Sequence, residues 1–210
     1  MAKQSKKTIV KKTDPKDDPT PKKKRISIER EKFLLTQLFT RNFSITDRTV
    51  IITGSIPHDG TLFSWFDACM TVLEQKNRQT IIVKINSHGG SVYEAGAIVG
   101  RINASKCKVI TEGYGAVMSA ATLILASGDR RKISKYSWCM HHEGSNVLIG
   151  SVSELNDQLI QAKREEDVWA QWMAELTKKD KQYWLKQGVR TDLYLSADEA
   201  IEVGIADEVI

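Results

Sequence analysis

Ser119 stands in the run Gly115-Ala116-Val117-Met118-Ser119-Ala120-Ala121, where an apolar strand-like stretch gives way to a helix-like one. A serine at such a turn can expose its hydroxyl while the next backbone N–H faces an oxyanion, as in a nucleophile elbow. A helix that needs Gly, Ala and Ser for close packing would use the same letters. Ile85-Asn86-Ser87-His88-Gly89-Gly90-Ser91-Val92 is a second junction of this kind. Its paired glycines let backbone approach a ligand and present successive N–H groups to developing negative charge, although a tight turn would use them too. No Gly-Lys-Ser/Thr follows, so it is not a Walker A loop, and no nucleotide fingerprint is present. The third candidate is Met140-His141-His142-Glu143-Gly144. Strand alternation sends His142 and His141 to opposite faces, and no Cys/His/carboxylate cluster accompanies them, which argues against a metal site. A serine, a histidine and a later aspartate in one α/β chain suggest hydrolysis by an activated serine. The spacing alone does not choose among Asp180, Asp192 and Asp207.

The elements that must position these residues can be read from periodicity. Strands are predicted at Arg48–Thr53, ending at Gly54, at Thr80–Ile85, at Val109–Thr111 and at Ser137–His142. The second is apolar at nearly every position, as a parallel strand buried on both faces would be. Pro57 and Gly60 mark a turn. Helical spacing relates Phe63, Phe66, Met70 and Leu73, ending near Asn77, and helices are also predicted over Val92–Ile102 and through Ala126. A long amphipathic helix carries Leu155, Leu159, Trp169, Trp172, Met173 and Leu176, with Ser151 and Glu154 as its capping box. A shorter helix ends at Gly188, and Ser196 with Glu199 caps a last one that stops at Gly204. Strands alternating with helices define an α/β fold on parallel strands.

Charge divides the chain. Residues 1–25 hold ten basic residues and three acids, a net +7, while the remaining 185 hold 21 basic residues and 23 acids, a net −2. Three of the four prolines lie in the same tail, which has no aromatic residue, so it is expected to be a disordered extension over residues 1–32. A single domain over 33–210 follows, with a short apolar helix at Phe33, Leu34, Leu35, Leu38 and Phe39. No run approaches the ~18 apolar residues of a membrane span, and neither a secretory nor a transit signal is recognisable. Three scattered cysteines, an odd number, argue against a disulfide framework, so a cytoplasmic setting is expected.

From Arg48 to its end the sequence resembles the ClpP-type serine peptidases, the proteolytic subunits of ATP-dependent Clp protease and their phage-encoded relatives. Ile85–Val92 is similar to the family's Ile-Asn-Ser-Pro-Gly-Gly-Ser-Val, with His88 in place of proline. Gly115–Gly128 aligns with the Gly-x-Ala-x-Ser helix, Ser137–His142 with Ser-Arg-Val-Met-Ile-His, and Asp192–Ala200 with Asp-x-Phe-Leu-Ser-Ala-x-Glu-Ala. The resemblance implies a ClpP/crotonase-like spiral of strand–strand–helix units with a protruding helical handle. It implies Ser119 as nucleophile, His142 as base and Asp192 as the triad acid, with an oxyanion hole at Gly89, Gly90 and Ala120. It also implies a substrate groove lined by the Gly-rich strand that carries Gly144, Ser145, Asn146 and Gly150. The serine-to-histidine interval is two residues shorter than the family's, which leaves His141 as an alternative base. Main-line members have methionine where Ala120 stands and arginine where Thr191 stands.

The expected activity is a serine endopeptidase acting on polypeptides without cofactor or metal. Its expected partners are copies of itself in a heptameric ring, single or stacked in pairs, and an AAA+ unfoldase. The basic tail is either a solvated extension or a tether to an acidic partner. Two alternatives share the fold: a catalytically silent subunit of a mixed ring, and an enoyl-CoA-hydratase-like enzyme.

Overall fold

The computed structural model describes residues 42–75 and 79–210. The expected tail, the Phe33–Phe39 helix and the helix end near Asn77 lie outside the described residues. In chain order the elements are β1 (Phe43–Ser44), β2 (Thr49–Ile56), α1 (Thr61–Glu74), β3 (Ile81–Gly90), α2 (Val92–Asn103), β4 (Val109–Met118), α3 (Ala120–Ala126), β5 (Arg130–Ile133), β6 (Trp138–His141), α4 (Val152–Leu176), α5 (Lys181–Lys186), β7 (Leu193–Leu195), α6 (Ala197–Val203) and β8 (Glu208–Val209).

The strands form one mixed sheet in the order β1-β2-β3-β4-β5-β8, parallel from β2 to β8, with β6 and β7 attached beside β4. Three strands outrun their sequence-based ends, among them β3, which runs on to Gly90. β2 continues through Gly54 to Ile56, and beside that glycine the register skips His88, a bulge on β3. β4 runs to Met118, past its expected end at Thr111 and almost to the serine. The reason is a change of partner: Ile110–Gly113 pair with β5 and Ala116–Met118 pair with β6. Asn86 Oδ1 accepts from the Ala116 N–H at 3.1 Å where the ladder between β3 and β4 breaks. β3 buries alternate residues, with Ile82 and Lys84 half-exposed, rather than both faces.

β5 was not expected, because Arg130-Arg131-Lys132 reads as polar chain. Its charges are paired across the sheet instead: Arg130 with Glu208, Arg131 with Asp207, and Lys132 with Glu208 and Glu112. The core lies between the sheet and α1–α3, and every residue of α3 is buried. Both expected capping boxes form, at Ser151/Glu154 and Ser196/Glu199. α4 buries only Ala170 and Met173, both near its C-terminal end, so its first turns project as the expected handle. The chain from His142 to Gly150 forms no strand. An extended segment needs a neighbour to complete a ladder, and the described residues offer none there.

Candidate active site

Ser119 closes β4 and precedes α3 with φ 52 and ψ −126, a conformation costly for any residue with a side chain. Its neighbours hold it there. The Ser119 N–H donates to Met140 O at 2.7 Å, and its carbonyl accepts from the Thr122 N–H at 2.9 Å and the Thr122 hydroxyl at 2.6 Å. The hydroxyl is thereby aimed at the residue after β6. His142 Nε2 lies 2.8 Å from Ser119 Oγ, within hydrogen-bond reach. The chain passes close against the histidine's backbone at Gly188, where a Cβ would come within 2.7 Å of His142 Cα. Gly188 O also accepts from the Glu143 N–H at 3.3 Å, which fixes the histidine's backbone.

The two adjacent histidines are divided as strand alternation requires. His141 is buried, with Nε2 3.0 Å from Trp184 O and its ring edge-on to the Trp184 indole at 5.1 Å. Burial holds its pKa below the ordinary imidazole value. Its ring is anchored to the core, and it is His142 that meets the serine.

Gly89 lies against the elbow. A Cβ there would stand 2.5 Å from Met118 O, 2.8 Å from Ser119 Cβ and 2.9 Å from Ala120 N. Its N–H is already given to Ser87 Oγ at 3.1 Å, and that hydroxyl donates to Gly54 O. Gly89 therefore contributes close approach rather than a donor. Gly90 is registered with Ile56, and Ile56 O accepts from the Ser91 N–H at 3.0 Å. In a parallel ladder that alternation turns the Gly90 N–H away from β2, to the side where β4 lies. Ala120 is the first residue of α3, whose leading N–H groups lack intrahelical acceptors.

Asp192 is exposed and makes no hydrogen bond to His142 among the described residues. Its backbone placement is more informative. β6 and β7 pair antiparallel with His141 opposite Leu193, so one further step of the register sets Asp192 across from His142. The other two late aspartates are occupied elsewhere. Asp180 caps α5 through the Tyr183 N–H, and Asp207 pairs with Arg131, which holds its carboxyl below the usual carboxylate range.

A cavity of about 820 Å³ opens over the dyad. Gly144, Ser145 and Asn146 line it, whereas Gly150 sits outside that lining, against the Glu154 side chain at the start of α4. The inner side of α4 forms the opposite wall through Leu159, Ala162, Glu166, Trp169 and Ala170. Sequence reasoning missed Glu166 and the cavity-lining His58, because neither lies in a motif; only the helical register of Glu166 with Leu159 and Trp169 could have pointed to it.

A mixed α/β sheet whose fourth strand delivers a strained serine to a histidine defines the class of protein. A family model described as Clp protease matches residues 29–210, and the chain belongs to that family. The ATP-dependent Clp protease proteolytic subunit of Deinococcus radiodurans is 28% identical over 176 residues, covering 81% of this chain and 86% of the relative. Proteolytic subunit 1 of Bifidobacterium longum is 29% identical over 147 residues, covering 68% of this chain and 63% of the relative. Among solved structures, a ClpP1 variant from Listeria monocytogenes superposes with a TM-score of 0.72 at 28% identity, covering 84% of this chain and 95% of the other.

Proposed function

We propose that the chain is a serine endopeptidase and that Ser119 and His142 carry the reaction. The observation that supports this most is the 2.8 Å approach of His142 Nε2 to Ser119 Oγ at the floor of a cavity large enough for a peptide segment. His142 takes the hydroxyl proton as Oγ attacks the peptide carbonyl, then gives it to the departing amine. Water repeats the sequence to release the acyl group. The N–H groups of Gly90 and Ala120 hold the oxyanion, each such donor typically contributing about 3–4 kcal/mol. Asp192, across from His142 in register, orients the imidazole once its carboxylate turns inward.

Residues 33–210 form the peptidase domain in this reading, and residues 1–32 form a basic arm. The curated relatives are described as ATP-dependent proteolytic subunits, which supports assembly of this chain into a ring, a heptamer or a stacked pair, served by an AAA+ unfoldase. No helix among the described residues is long and apolar enough to cross a membrane, and we assign the chain to the cytoplasm.

A biotinylated fluorophosphonate tests the assignment. Labelling is expected at Ser119, and peptide hydrolysis that persists in Ser119→Ala would sink it. The exposed Asp192 favours one second reading, a structural ring subunit without activity. Asp192→Asn separates the two: a peptidase loses about 10³-fold or more in kcat, whereas a silent subunit has no activity to lose.

A further inference from the structure

The handle presents to the cavity an apolar stripe interrupted by three charged residues, Lys163, Glu165 and Glu166. Leu159, Ala162, Glu166, Trp169 and Ala170 follow helical spacing along α4, and all of them line the cavity. Glu166, at the centre of the stripe, is half-buried and makes no hydrogen bond or ion pair among the described residues. Glu143, the residue after His142, lines the same cavity near enough to disfavour the ionised form of Glu166, and it too makes no hydrogen bond or ion pair through its side chain among the described residues. The third carboxylate of the wall, Glu165, is already occupied by the Tyr93 hydroxyl and Gln161. Lys163 lines the same wall but forms no ion pair with Glu143 or Glu166.

A half-buried carboxylate beside apolar side chains and near another carboxylate makes the empty site less stable. Desolvation and like-charge repulsion both disfavour the ionised form, and no contact within the chain compensates. Glu154 and Glu199 show the contrast, since each earns its place by closing a capping box. What would relieve Glu166 and Glu143 together is a cation between them, on an aliphatic stem able to pack along Leu159 and Trp169. A lysine or arginine side chain has that form.

We propose that Glu166, with Glu143, selects polypeptides carrying a lysine or arginine beside the bond presented to Ser119. This deepens the proposed function, from which it takes only that the cavity receives a polypeptide.

Binding and turnover are measured separately on the full chain. Fluorescein-labelled peptides identical except for one central lysine, norleucine or glutamate are titrated against Ser119→Ala by anisotropy. Lysine is expected to bind roughly five- to tenfold tighter than its uncharged isostere norleucine, with a preference that weakens at high salt. In Ser119→Ala/Glu166→Gln the preference should disappear, and in Ser119→Ala/Glu166→Lys it should shift to the glutamate peptide. Equal binding of lysine and norleucine, or a lysine preference that survives both Glu166→Gln and Glu143→Gln, overturns the proposal. A melting measurement reports on folding and on strain at once. Because burial and the nearby Glu143 carboxylate raise the Glu166 pKa, Glu166→Gln is expected to raise Tm at neutral pH, by about 1–3 °C. A supporting residue would lower it. Lysine preference in binding without Ser119-dependent hydrolysis would refute the peptidase reading and leave this one standing. Hydrolysis without preference would do the reverse.

Discussion

His141 and His142 show how one position along a strand decides between core and chemistry. Both are imidazoles in the same dipeptide, yet one binds Trp184 O inside the protein and the other meets Ser119. The sequence allowed either as base, since alternation says that they part but not which face becomes the core. The buried one has a consequence for stability. Its pKa is lowered in the folded protein, chiefly by burial, so the unfolded chain binds the proton more readily. Stability from this residue is complete above the ordinary imidazole value near 6.5 and declines as pH falls below it. Urea denaturation at pH 7.5 and pH 5.5 is expected to show that loss, and a variant such as His141→Gln is expected to lose much of the pH difference while remaining less stable overall. Asp192 illustrates the opposite limit of legibility. Nothing in local composition separates it from Asp180 or Asp207, and only the antiparallel register of β6 with β7 sets it across from His142.

At the scale of elements, the helices were the more legible part. Their caps are written in a few adjacent letters, and Ser151/Glu154 and Ser196/Glu199 form as read. Strand ends were less legible because they depend on neighbours distant in sequence. β4 extends to Met118 because β6 takes over as its partner, and β5 exists because Asp207 and Glu208 neutralise its arginines. Arg131 is the strongest of these ties. Its guanidinium reaches Asp207 and also donates to Leu176 O at 2.6 Å and Gly204 O at 2.7 Å, joining β5 to the ends of α4 and α6. Arg131→Ala is expected to cost about 2–3 kcal/mol, seen as a Tm fall of about 4–12 °C. The Asp207 carboxyl, held low chiefly by Arg131, adds stability above the ordinary carboxylate range that is lost as pH falls through it. Acid sensitivity should therefore be smaller in the variant.

Taken whole, the molecule keeps its basicity apart from its chemistry. The net +7 belongs to residues 1–25, and the remainder is slightly acidic. The described body also leaves apolar surface uncovered where the handle begins. Val147, Ile149 and Val152 are each at least 80% exposed, on a segment that has no strand partner. Contiguous exposure of this kind marks contact surface, and in the proposed ring it would be covered by another copy. Ile149→Asp with Val152→Asp is expected to lower the sedimenting mass while leaving far-UV circular dichroism unchanged. An unaltered mass would remove this segment from the assembly.

β4 has one more implication. Its last three residues pair with β6, and the bond from the Ser119 amide to Met140 O joins the two strands at the proposed nucleophile. The hydroxyl and the imidazole thus meet across one join between strands, and loosening that join would part them. In the proposed peptidase a slip of β6 against β4 is expected to lengthen that contact, and the solvent-exchange rate of one amide, that of Ser119, would report it.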